Sequence, residues 1–161
     1  KLSINEDQCN LLIHSYNSDR SNYFDVIKNT AKDRSNIMFD VKYYDEKKHF
    51  TMLSSMDIGI ALYSNVNNSI NWQNLIFSSG KIANYLWAGL AVITNIESEL
   101  TSKPPFLKIT NLNPSEISTV INQFNSSRDL YRTKAIEVAD KYYNLDVYMG
   151  NIIDKVYEFM D

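Results

Sequence analysis

The residues Ser78-Ser79-Gly80-Lys81 stand directly before a segment with helical apolar spacing, and together they could hold a phosphate. A helix starting there would turn its unpaired backbone N–H groups and the positive end of its dipole toward an anion. Ser78 and Ser79 add hydroxyl donors, Gly80 lets a ligand approach the backbone, and Lys81 adds a compact positive charge. The same residues also fit an ordinary N-capped helix with a solvent-facing lysine, since serine is a favoured cap. Tyr63 closes the apolar run DIGIALY (57–63), and Asn84 lies one helical turn beyond Lys81.

The elements around these residues follow from apolar spacing. The short apolar runs 10–16 (NLLIHSY), 37–43, 57–63 and 90–94 (LAVIT) read as strands, with a last one at 106–109 after Pro104-Pro105. Between them, Phe24, Ile27 and Ala31 recur at helical spacing after the candidate cap Ser21, as do Phe50 and Leu53 after the candidate cap Asp45. Residues 17–22 are turn-like. Residues 64–77 are rich in Asn and Ser without periodicity, which suits a binding loop. A helix over 80–88 ends at Gly89, where a glycine terminator belongs. Three closing helices follow, the last over 147–160. Strands alternating with helices, and strands apolar on both faces, predict an α/β doubly wound parallel sheet with helices on both sides. Ligands of such sheets bind beyond the carboxyl ends of the strands, which is where Tyr63 and the start of the 80–88 helix lie.

Composition narrows the classes of function. With 161 residues, 44% of them apolar, residues 1–161 are read as a single domain. Sixteen Lys and Arg against 19 Asp and Glu give a net charge of −3, which argues against a nucleic-acid partner. The eleven tyrosines are too scattered to stack a single strand of nucleic acid. Apolar runs such as 11–13 and 90–93 are far too short to span a bilayer, and no signal sequence is visible at the start of the chain. One cysteine, Cys9, excludes an internal disulfide and suits a reducing cytoplasm; it has no adjacent base and is assigned no role. Its distance from the two histidines gives no metal-ligand spacing, so no metal cofactor is expected.

DIGIALY followed by SSGKIANYLWAGLAVIT resembles the C-terminal half of GT-B fold glycosyltransferases of the group 1, family 4 type. The likeness is carried by Asp57, Ile58, Gly59, Tyr63, Lys81, Tyr85, Leu86, Gly89, Val92 and Ile93 in order and spacing, and it extends over nearly the whole chain. The resemblance implies a Rossmann-like domain that binds a nucleotide diphosphate sugar, with Tyr63, Ser78, Ser79, Gly80, Lys81 and Asn84 as binding residues. The loop and helix around Lys81 would face the diphosphate, and Asn84 the ribose. It also implies an acceptor glycan or lipid-linked sugar held by a separate N-terminal half, and a cytoplasmic setting at the inner face of a membrane. The chain begins with Lys1 rather than Met and lacks the family's first strand, so it is expected to be an excised donor-binding domain.

The chain departs from the family at two places. Many members carry two glutamates separated by seven residues, where this chain has Ile76 and Asn84. That loss favours an alternative reading, a non-catalytic binding or interaction module on the same fold. No catalytic residue can be named. Among the remaining polar groups, His14 fits either a ligand-facing position or, more readily, a hydrogen-bonded core or rim residue. His49 reads as exposed. Tyr43 and Tyr44 fit nucleobase packing or core or rim packing equally, and Glu97 and Glu99 fit a sugar contact or a solvated turn.

Overall fold

In a computed structural model the protein is described at residues 9–15, 22–64, 74–146 and 149–150. The candidate cap Ser21, the Asn-rich stretch 65–73 and nearly all of the 147–160 helix lie outside the described residues. The chain divides into two compact units, Lys1–His49 and Phe50–Asp161.

In the first unit, β1 (Leu11–His14) pairs in parallel with β2 (Ile37–Asp40), and α1 (Asn22–Ala31) is the crossover between them. The register sets Leu11 beside Ile37 and His14 beside Asp40, so both strands end together. The second strand is expected to run on to Tyr43, but β2 stops at Asp40, whose carbonyl accepts from the Ser15 N–H. Asp45 caps α2 (Glu46–Ser54) as the sequence suggests: its carboxylate accepts from the Lys48 N–H at 2.8 Å.

The second unit holds a three-stranded parallel sheet in the order β3 (Ile58–Ala61), β4 (Ala91–Thr94), β5 (Phe106–Lys108). β4 is central, and all four of its residues are buried. Its side chains alternate between two clusters. Val92 joins Ala61, Phe106 and residues of α4 (Gly80–Trp87) and α6 (Arg128–Tyr143). Ala91 and Ile93 join Leu107, Ile109 and the α5 (Pro114–Ser126) residues Val120 and Phe124. This two-sided burial is the reason LAVIT has no polar alternation. The molecule is therefore α/β with parallel strands flanked by helices, Rossmann-like, and its strands fall into two sheets.

Two local devices set the ends of α4. At its start Ser79 is the cap, with extended backbone and its Oγ accepting from the Ile82 N–H at 3.3 Å. At its end Gly89 has φ 77°, its N–H donates to Leu86 O, and the Leu90 N–H reaches back to Tyr85 O. That doubly bonded turn needs a left-handed residue at Gly89 and releases the chain directly into β4. The end of the loop expected over 64–77 is helical: Leu75–Ser78 forms α3. Burial of Ile76, whose carbonyl accepts from the Tyr143 hydroxyl, holds this short turn against α6.

Candidate functional site

The residues singled out at the carboxyl end of β3 come together in the second unit. The chain leaves β3 at Ala61, and two residues later the Tyr63 hydroxyl pairs with Ser79 Oγ at 2.5 Å. Lys81, exposed in the first turn of α4, sets its Nζ 5.8 Å from the centre of the Tyr63 ring. The early amides of a helix have no partner within it. Gly80 adds room, since among the described residues a Cβ built there would meet nothing within 4 Å. A hydroxyl pair, an ammonium group and a helix start beside open space can receive an anion. Nothing in this group is a nucleophile with an adjacent base.

The other expected members are placed differently. Ser78 does not cap α4; it belongs to α3, and its hydroxyl donates to the Asn74 carbonyl, away from the Ser79 pair. Asn84 is exposed one turn along α4. Tyr85, next to it, packs its ring against Gly59, and burial together with the nearby Tyr63 raises its hydroxyl pKa.

Asn95 has no place in the sequence reading, yet it organises this corner. Its Oδ1 accepts from the Tyr63 N–H at 3.0 Å and its Nδ2 donates to the Tyr63 carbonyl at 2.7 Å. The signal in the sequence is thin: a lone amide side chain directly after the apolar run LAVIT. Parallel register supplies the missing link. Ala61 lies beside Thr94, so the residues just past the two strand ends are neighbours.

The two glutamates considered for a ligand contact are paired with lysines. Glu97 meets Lys108 Nζ at 2.8 Å, and this bond lowers its carboxyl pKa. Glu99 lies 3.8 Å from Lys103.

His14 proves to be a hydrogen-bonded residue at the rim of the first unit. Its Nδ1 lies 3.2 Å from Asp40 Oδ2, and its ring stands 5.4 Å from Tyr44 and 5.8 Å from His49. Tyr43 is exposed, whereas Tyr44 is bonded to Asp40. Asp40 also accepts the Lys42 N–H at 3.2 Å. These donors, the Tyr44 hydroxyl first among them, hold the Asp40 carboxyl below its ordinary range. A lowered carboxyl pKa adds stability above the unfolded value, about 4, and that contribution is lost as pH falls through the folded value. The stability difference between the parent and Asp40→Asn is therefore expected to shrink below about pH 4. Urea unfolding followed by His14 and Tyr44 ring signals at a series of pH values measures it. A difference that stays constant across that range contradicts this account of Asp40.

Among the described residues no group of three or more His, Cys, Asp or Glu could hold a metal ion, and no helix is long and apolar enough to cross a membrane. Comparison with family models, with characterised proteins and with solved structures gives no match to this chain.

Proposed function

We propose that the chain binds a nucleotide diphosphate sugar at the carboxyl end of β3 and is the donor domain of a glycosyltransferase. One observation carries the reading: at the start of α4 the Tyr63 hydroxyl pairs with Ser79 Oγ, Lys81 Nζ stands 5.8 Å from the centre of the Tyr63 ring, and Gly80 is open among the described residues. The likeness of DIGIALY and SSGKIANYLWAGLAVIT to the donor half of GT-B enzymes supports the same assignment. In that role the helix start and Lys81 stabilise the charge that develops on the departing diphosphate. Asn84 serves the ribose hydroxyls as a neutral donor and acceptor. The acceptor, a glycan or lipid-linked sugar, and the group that activates it belong to another half of the enzyme. The setting proposed with this activity is the cytoplasm, at the inner face of a membrane.

The test is an NMR titration with UDP, GDP and ADP. Amides of Ser79, Gly80 and Lys81 are expected to move with at least one of them, and shifts confined to the opposite edge of the sheet would refute the site. A hydrogen bond to a charged group is worth about 1.5–3 kcal/mol, so Lys81→Ala is expected to weaken binding about tenfold and to reduce its salt dependence. Asn84→Ala is expected to cost less and to leave the salt dependence unchanged. Asn84→Glu is expected to hold or improve affinity, since a carboxylate accepts ribose hydroxyls more strongly. Calorimetry on the three variants reads these differences, and parent-like binding by Lys81→Ala makes that lysine a surface residue only.

A second reading, a non-catalytic binding or interaction module, is favoured by one observation. Ile76, at a position where many of these enzymes carry a glutamate, is wholly buried in the apolar cluster. The family's two carboxylates are thus replaced by a core residue and a neutral amide. A titration in which no nucleotide moves the Ser79–Lys81 amides would support the module.

A further inference from the structure

Resting on the nucleotide reading of this site, we propose that Asn95 is its positioning residue and acts through Tyr63. The ladder of β3 with β4 ends at Ala61, and among the described residues no strand partner is paired with Tyr63. Asn95 takes over that task with both ends of one carboxamide, accepting from the Tyr63 N–H and donating to the Tyr63 carbonyl. Two bonds to one residue fix its backbone rather than tether it, and the direction of the ring follows. From that backbone the Tyr63 hydroxyl reaches Ser79 Oγ, and the ring face meets Lys81 Nζ at 5.8 Å. The placement of Tyr63 relative to Ser79 and Lys81 thus depends on one side chain that belongs to neither α4 nor the chain leaving β3. The requirement is for an amide. Aspartate has nearly the same shape, but it has no N–H for the Tyr63 carbonyl and sets a charged oxygen against it.

The experiment uses the full chain with ¹³C-labelled tyrosine, read by NMR, with calorimetry against UDP, GDP and ADP. Asn95→Asp and Asn95→Ala are expected to move the Tyr63 ring signals toward those of free tyrosine and to shift the Ile82 amide, whose partner is Ser79. Affinity for the tightest of the three nucleotides is expected to fall roughly fivefold to tenfold, the size of one lost neutral hydrogen bond. Tyr63→Phe is expected to lose a comparable factor. Asn95→Ala combined with Tyr63→Phe should lose little more than either alone, because the two act in series. Losses that multiply in the double variant, or Tyr63 signals unchanged in Asn95→Asp, overturn the proposal. If none of the three nucleotides binds the parent chain, the donor reading fails, and the tyrosine signals alone decide whether Asn95 positions Tyr63.

Discussion

Leu86→Ala is expected to lower the stability of the second unit by about 2–5 kcal/mol, the usual cost of emptying a buried leucine site. Leu86 is wholly buried on the inner face of α4, in a cluster with Ala61, Ile76, Ile82, Val92, Ile96, Phe106, Ala135, Val138 and Ala139. Two of these neighbours are alanines of α6, already too short to move into the vacated space. The others stand on β3, β4 and β5 or on α3, α4 and α6, where ladders and helix bonds hold the backbone, except Ile96 in the loop after β4. Collapse is therefore limited, which places the loss in the upper part of that range. Urea unfolding is expected to show a lower midpoint with an unchanged slope. Phe77→Ala, at a half-exposed position, is expected to cost far less. Equal losses at the two positions would show that α4 is not packed through Leu86.

Gly59→Ala is expected to destabilise the same unit by about 1–3 kcal/mol, although the added group is one methyl. A Cβ at Gly59 would overlap the Tyr85 ring, including the carbon at its root. The ring cannot swing away freely, because Tyr85 also packs against two of the buried clusters. Relief requires the ring, and α4 with it, to move off β3. Shortening Tyr85 removes the obstacle, so the loss in Gly59→Ala combined with Tyr85→Ala is expected to be smaller than the sum of the single losses. Chemical denaturation of the four proteins measures that coupling. Additive losses would mean that the ring does not lie on Gly59. Since Tyr85 adjoins Asn84, the same displacement is expected to shift the Asn84 amide in NMR spectra.

Much of the framework was written locally. The unbroken apolar run LAVIT already signalled a strand covered on both faces, and β4 is that strand. Asp45, Ser79 and Gly89 each satisfy backbone groups within a few residues of themselves, so cap and terminator chemistry sufficed to place the start of α2 and the end of α4 and narrowed the start of α4 to two serines. Such signals act over one turn of helix and do not depend on what lies across the sheet. Tertiary structure decided the rest. It selected Ser79 over Ser78 as the cap, because α3 had already drawn Ser78 into its own last turn. Among the described residues it ended β2 at Asp40 and divided the strands between two sheets, which no local run of residues announces. It joined His14 to Asp40 and Asn95 to Tyr63, residues far apart in the chain that parallel register makes neighbours. It also made Gly59 obligatory by laying the Tyr85 ring on it. Side-chain meetings of this kind follow from strand register and helix placement, and those are settled by burial of the whole core rather than by any local run of residues.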